Sequence, residues 1–463
     1  MYKQIIDYLA CDIYPFHMPG HKRNPKFFPP NLQCLDMTEI PGMDVLSSPT
    51  GIIKQLQAKI SSIYDAEHSF FLVNGSSSGI VAAVCATCAD GATIIVPRNA
   101  HTSVYNGIAI CGANPQYIMP ETTPDGLAGG INPKIFDNMP EGAVVLVVSP
   151  TYEGFVSDIA SIADKVHSKK GILVVDEAHG AHFPFHKIFP ASALELGADI
   201  VVQSLHKTLP APSQCAVLHV KSNAVDINRI KFHINAVQTS SPSYILMSVC
   251  DFMLQLLWPN SNYFNDYIEI LSETRNRLAE LAYLSGRERI GSNGIYDIDI
   301  GKLLFTLPDN NAEHIAKIMA NEYKVQMEMA TGRHILAMTS VADTADGFER
   351  LVKASEAIFG QRGIVNATDI PDSFSVYRDR RTQTSENLMS EAGYMELPKL
   401  PEIVMSPRKA VVALSKEVLW EEAVGQVSAQ LIAKYPPGIA LVAPGERIPH
   451  DIPKQSETIR VVK

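Results

Sequence analysis

Short apolar runs alternate with stretches of helical spacing between residues 50 and 220. The runs occupy 92–96, 116–118, 144–148, 172–175, 200–203 and 216–220. Their apolar residues stand at successive positions, which suits strands covered on both faces, and the helical stretches between them suit crossovers. The pattern predicts an α/β fold with a largely parallel sheet. From 242 to 285 the spacing of Leu254, Leu257, Ile268, Leu271 and Leu278 is helical, with no strand signal. Segments 296–300, 302–307, 312–321, 325–329, 334–339 and 344–358 then read as strands and helices of a compact α+β unit. A polar stretch, 372–387, predicts a linker, and a helix-like stretch, 419–434, precedes a Pro- and Gly-rich end. The chain has 463 residues, about three times the usual length of one domain, and the division expected is 1–285, 286–365 and 366–463.

Ligands of open α/β sheets gather at the carboxyl ends of the strands. There the sequence turns polar: Pro97-Arg98-Asn99-Ala100-His101, Ser149-Pro150-Thr151-Tyr152, Asp176-Glu177-Ala178-His179 and Ser204-Leu205-His206-Lys207. Ahead of a helix-like stretch, Asn74-Gly75-Ser76-Ser77-Ser78-Gly79 offers hydroxyls and free N–H groups to a phosphate; a serine cap with a flexible turn has the same appearance. The segment fits neither the nucleoside triphosphate loop nor the dinucleotide fingerprint. An aspartate and a lysine at neighbouring strand ends, Asp176 and Lys207, suit one flat cofactor: the acid keeps a pyridine nitrogen protonated and the amine forms a Schiff base. An internal salt bridge would use the same two residues. His101, at another strand end, is placed to stack on the ring.

Composition narrows the partners. With 46% hydrophobic and 19% charged residues the chain has the balance of a packed globular protein. A net charge of −10 gives nucleic acid and anionic membrane surfaces no basic field to bind. No apolar run approaches the ~20 residues a bilayer requires, and Lys3 and Asp7 break the start as a secretory signal. The odd, scattered set of Cys11, Cys34, Cys85, Cys88, Cys111, Cys215 and Cys250 suits reduced thiols in a cytoplasm. Cys85 and Cys88 lie in a small apolar stretch without a second such pair, so packing is expected of them and no metal site.

These strand-end motifs, with His17-Met18-Pro19-Gly20-His21-Lys22, Val175-Asp176-Glu177-Ala178-His179-Gly180-Ala181-His182-Phe183 and Gln203-Ser204-Leu205-His206-Lys207-Thr208-Leu209-Pro210, resemble the Orn/Lys/Arg decarboxylase family, group III of the pyridoxal-phosphate decarboxylases. Pro436-Pro437-Gly438 and Pro444-Gly445-Glu446 resemble its C-terminal signature. The resemblance implies a fold type I, aspartate aminotransferase-like large domain with smaller C-terminal α+β parts, and pyridoxal 5'-phosphate as cofactor. It implies that Lys207 is the Schiff-base lysine, Asp176 the pyridine-nitrogen partner and His101 the stacking residue, with His179 near a cofactor oxygen. Ser76, Ser77, Ser204 and His206 would hold the phosphate, with the Asn74-Gly75 turn beside them. Segment Gln238-Thr239-Ser240-Ser241-Pro242-Ser243-Tyr244 resembles the part that reaches a neighbouring subunit's cofactor phosphate, which implies a homodimer or higher oligomer with Ser240 in a shared site. The chain enters the Met18-Pro19-Gly20 motif near its start, so the N-terminal wing domain of long relatives is not expected. Where many relatives carry Tyr-Tyr, this chain has Tyr152-Glu153.

The reaction implied is decarboxylation of a basic amino acid, foremost arginine to agmatine in polyamine biosynthesis, with lysine and ornithine as alternatives. Transamination, retro-aldol cleavage and a catalytically silent regulatory homologue are the other readings. A basic side chain requires a carboxylate at the far end of its pocket, for which Asp44, Glu153 and Glu446 are the candidates.

Overall fold

The computed structural model describes residues 2–259, 262–281, 284–360, 400–434 and 438–463. The expected linker, 372–387, and Pro436-Pro437 lie outside them.

After α1 (Tyr2–Leu9), β1 (Tyr14–Phe16) and α2 (Ile52–Tyr64), the chain builds a seven-stranded sheet from β2 (His68–Leu72), β3 (Thr93–Pro97), β4 (Asn114–Ile118), β5 (Val144–Val148), β7 (Ile172–Asp176), β8 (Ile200–Ser204) and β9 (Ala216–Val220); the short β6 (Phe155–Val156) stands off it. The strand order is β2-β9-β8-β7-β5-β3-β4. From β8 to β4 all neighbours are parallel, while β9 runs antiparallel to both β8 and β2. The crossovers are α3 (Gly75–Thr87), α4 (Thr102–Cys111) and α5 (Ile159–Ser168). Val145, Val147, Leu173, Val175 and Val201 face one apolar core, and Val144, Leu146, Val174, Ile200 and Val202 face the other. This two-sided burial is why the runs are apolar at every position. Strand β2 has no such run: it lies at the sheet edge, where His68 is exposed and Phe70 only half-buried. Cys85 and Cys88 are buried in α3 and at its end.

Helices α6 (Leu205–Thr208), which belongs to the β8 loop, and α7 (Ile227–Val237) come before the helical stretch 242–285, which forms α8 (Tyr244–Leu257) and α9 (Asn262–Ala279). Beyond it come β10 (Asp297–Ile298), β11 (Lys302–Thr306), α10 (Ala312–Asn321), β12 (Val325–Met327), β13 (Met329–Thr331), β14 (His334–Met338) and α11 (Ala345–Phe359). Strands β11, β14 and β13 make an antiparallel sheet. Two pairings cross the expected division at 285: β1 pairs in parallel with β12, and β6 pairs with β10. The N-terminal strand thus belongs with the smaller unit.

The stretch 419–434 is not a helix. Strand β15 (Ser415–Leu419) ends there, only Trp420–Ala423 is helical, and the chain runs on to β16 (Ile432–Lys434), β17 (Ile439–Val442) and β18 (Thr458–Val462). Gly425, at φ +83°, turns the chain out of the helix, and its N–H goes to Ile448 O. Trp420, Ile432, Val442, Ile459 and Val461 then form one small core, so the apolar spacing serves packed strands and not a helix face. Among the described residues no helix is long and apolar enough to cross a membrane.

Candidate active site

The parallel strands deliver their carboxyl ends to one edge of the sheet. In register, Asp176 pairs with Val148 on one side and Val202 on the other, so the aspartate and Ser204 stand at adjacent ends. Glu177 locks these ends below the site: it accepts hydrogen bonds from Ser192 Oγ, Ala193 N and Gln203 Nε2, and burial pushes its carboxyl up to about 7. Asp176 is buried; burial pushes its carboxyl up, and Lys207 and His101 pull it back. Among the described residues its one hydrogen bond comes from Ala178 N, which leaves acceptor capacity on the carboxylate.

Lys207 lies in the single turn α6. The N-terminal segment closes over that turn, with Gly20 N donating to His206 O at 2.8 Å. A side chain at Gly20 would meet Leu209 O at 2.7 Å, so only glycine permits this approach. Buried Lys22 fixes the segment from its other end by donating to His17 O and Met338 O. Lys207 Nζ is 3.1 Å from His179 Nε2, and burial pulls its ammonium down. His101 caps α4 through Ser103 N, with its ring exposed and in electrostatic reach of Asp176 and Lys207.

The start of α3 adjoins these groups. Helix α3 starts at Gly75, whose φ of +77° brings the chain in from β2; Gly75 N donates to Gln214 O at 2.8 Å, and Asn74 offers no side-chain cap to the N–H groups that follow. Ser204 Oγ donates to Ser76 Oγ at 2.7 Å, and Ser77 is exposed beside it. His206 instead turns Nδ1 toward Cys215 O at 2.9 Å. Ser240 is exposed, in a segment tied to the same loop by Gln238 Oε1, which accepts from Val73 N.

Two of the three expected side-chain carboxylates are otherwise engaged. Asp44 caps α2: Val45 N and Thr50 N donate to Oδ1, and Gly51 N, Ile53 N and Lys54 N to Oδ2, which leaves no room for a substrate cation. Glu446 is fully buried, pairing with Arg98 through Oε1 and accepting from Ala443 N through Oε2. That pair clamps the C-terminal unit onto the β3 loop. Glu153 is also buried, with Oε1 unpartnered, and burial pushes its carboxyl up.

Two residues absent from the sequence expectation enter the site. Lys302, buried at the start of β11, sits 2.8 Å from His179 Nδ1. Glu328, half-buried, accepts from Tyr152 OH at 2.7 Å and from Met18 N at 2.8 Å, and the Tyr152 ring meets His179 edge to face. The available signal was a charge inside an otherwise apolar strand: Lys302 leads Leu303-Leu304-Phe305, and Glu328 is set between Met327 and Met329.

The donor set fits pyridoxal 5'-phosphate. Asp176 has acceptor capacity for a ring N–H, Lys207 supplies an amine, and the uncapped α3 with Ser76, Ser77 and Ser204 suits a phosphate. Residues 1–314 match the family described as Orn/Lys/Arg decarboxylase, major domain, and residues 388–461 match Orn/Lys/Arg decarboxylase, C-terminal domain. A protein named arginine decarboxylase from Halalkalibacterium halodurans is 32% identical over 452 residues, which cover 94% of this chain and 87% of that one. Another of that name from Bacillus subtilis is 31% identical over 450 residues, covering 94% and 88%. The solved structure of the Francisella novicida lysine decarboxylase LdcF shares the fold at a TM-score of 0.74 and 21% identity, covering 95% of this chain and 76% of that one.

Proposed function

The chain belongs to the Orn/Lys/Arg decarboxylase family, with the type I fold of pyridoxal-phosphate enzymes, and we propose that it converts arginine to agmatine and carbon dioxide. The observation that carries the reading is the meeting of Asp176 and Lys207 at adjacent strand ends beside the uncapped α3. Retention of both residues supports an enzyme over a silent homologue.

Pyridoxal phosphate, when bound, supplies the electron sink for the pair left on the α-carbon as carbon dioxide departs. Asp176 accepts the ring N–H and, as a buried anion, keeps the proton on that nitrogen. Lys207 Nζ would be the amine that holds the cofactor, and Lys207 or a nearby histidine would return a proton to the α-carbon. His101 would cover the ring, while Ser76, Ser77, Ser204 and the backbone N–H groups of Ser76 and Ser77 would hold the phosphate.

For the cationic end of the substrate the reading takes Glu328. Each of its oxygens accepts one hydrogen bond, which leaves a lone pair on each for a planar guanidinium, and it lies in electrostatic reach of Lys207. Arginine is favoured because relatives of that name stand at 29–32% identity, and the lysine decarboxylase structure at 21%. The exposed Ser240 segment beside the α3 loop supports a phosphate site shared within a homodimer, and seven unpaired cysteines support a cytoplasmic setting.

The test is product analysis and steady-state kinetics with arginine, lysine and ornithine. Arginine should give agmatine with the highest kcat/KM; a higher value for lysine or ornithine overturns the substrate, and absence of carbon dioxide overturns the reaction. Lys207→Ala should lose both turnover and the visible absorbance of the holoenzyme.

A further inference from the structure

His179 is bracketed by two lysines, with Lys207 Nζ 3.1 Å from Nε2 and Lys302 Nζ 2.8 Å from Nδ1. Donor counting constrains this triad. A neutral imidazole has one N–H and one lone pair, and an ammonium can only donate, so two ammonium groups cannot both bond to one neutral ring. An imidazolium would need both lysines as free amines. Buried beside both lysines, with His206 and His101 in electrostatic reach and the Tyr152 ring against one edge, His179 is held well below its ordinary range, mainly by burial, which favours the neutral ring. At most one of the two lysines is therefore an ammonium.

The surrounding charges decide which. Lys302 is faced by Asp299, which is shared with His182, by Glu328, and by Glu153, whose Oε1 has no hydrogen-bond partner and whose carboxyl burial pushes up; Lys207 opposes them. Burial pulls its ammonium down to about 8 against these three carboxylates. Lys207 is faced by Asp176 and Glu328, and Asp176 is shared with His101. Three carboxylates thus face Lys302 and two face Lys207.

We infer that Lys302 is a positioning residue: its ammonium donates to His179 Nδ1, fixing the ring as the Nε2–H tautomer, and that N–H donates to the lone pair of Lys207 Nζ and holds Lys207 as a free amine. The nucleophile is then ready without a proton lost to solvent. The inference rests on Lys207 as the amine of the site, but not on which amino acid is the substrate.

The experiment uses the full chain, freed of cofactor by dialysis against hydroxylamine and shown by circular dichroism to remain folded. Trace labelling with acetic anhydride across pH, read by peptide mass spectrometry, gives the midpoint at which each Nζ becomes reactive. Lys207 should react at lower pH than Lys302. In Lys302→Met the Lys207 midpoint should rise by about one pH unit or more, and in Lys302→Arg it should stay near wild type. An unmoved midpoint in folded Lys302→Met, or Lys302 reacting before Lys207 in the wild type, overturns the inference; if Lys302→Met fails to fold, the wild-type order decides alone. Lys207→Ala with retained holoenzyme absorbance would overturn the site reading instead.

Discussion

Ser204 Oγ donates to Ser76 Oγ across 2.7 Å, joining the end of β8 to the first turn of α3 across 128 residues of chain. Both hydroxyls stand beside uncapped backbone N–H groups, so the contact is the core of the proposed phosphate cradle. Ser76→Ala and Ser204→Ala should each weaken pyridoxal phosphate binding about tenfold, ~1.4 kcal/mol. Fluorescence titration of cofactor-free protein measures this, and unchanged affinity in both variants would remove the serines from the cradle.

Asp176→Asn should keep the cofactor and lose activity, because a neutral amide does not hold a proton on the ring nitrogen. A fall in kcat of about tenfold or more, ~1.4 kcal/mol in barrier, is expected with the holoenzyme absorbance retained. A smaller loss means that the aspartate does not serve the electron sink.

Arg98 and Glu446 are each 1% exposed, and the guanidinium also lies 4.1 Å over the Tyr117 ring. Arg98→Met strands a buried carboxylate and should cost about 3–5 kcal/mol in urea unfolding. Adding Glu446→Gln should recover part of that loss. Additive losses in the double variant would show that the two charges do not support one another.

His219 is fully buried between Ser69 and Gln203, and burial holds its imidazole at about 3 against an ordinary 6.5. The unfolded chain therefore binds a proton that the folded chain refuses between pH 6.5 and about 3. This contribution to stability is complete above pH 6.5 and is lost as pH falls toward 3. His219→Gln should flatten the acid limb of a stability-against-pH curve, measured by denaturant midpoints; an equally steep limb would assign acid sensitivity elsewhere.

Gly20→Ala should slacken the cover over α6, since its Cβ would fall 2.7 Å from Leu209 O. A lowered melting temperature together with a lowered kcat is expected, and a variant matching wild type in both would show that the segment shifts freely.

Local pattern carried the central sheet and the Asp176–Lys207 pair, because a strand buried on both faces must be apolar at each position and must turn polar where it meets a ligand. Runs 144–148 and 216–220 coincide with β5 and β9. Edge strand β2 escaped the same rule because its uncovered side tolerates His68, and buried Ser69 is satisfied by His219 Nδ1. In the C-terminal unit, spacing suited to a helix served strands, since Gly425 and the surrounding core overrode local periodicity. Acids were legible as charges but not as functions. Asp44 spends its oxygens on backbone N–H groups before and at the start of α2, and Glu446 meets an arginine 348 residues away. Lys302 and Glu328 reach His179 and Tyr152 only because β11 and the β12–β13 segment fold back over the strand ends. An ionisable side chain takes its role from the partner it meets, and these partners are brought together by tertiary contacts that no local stretch encodes.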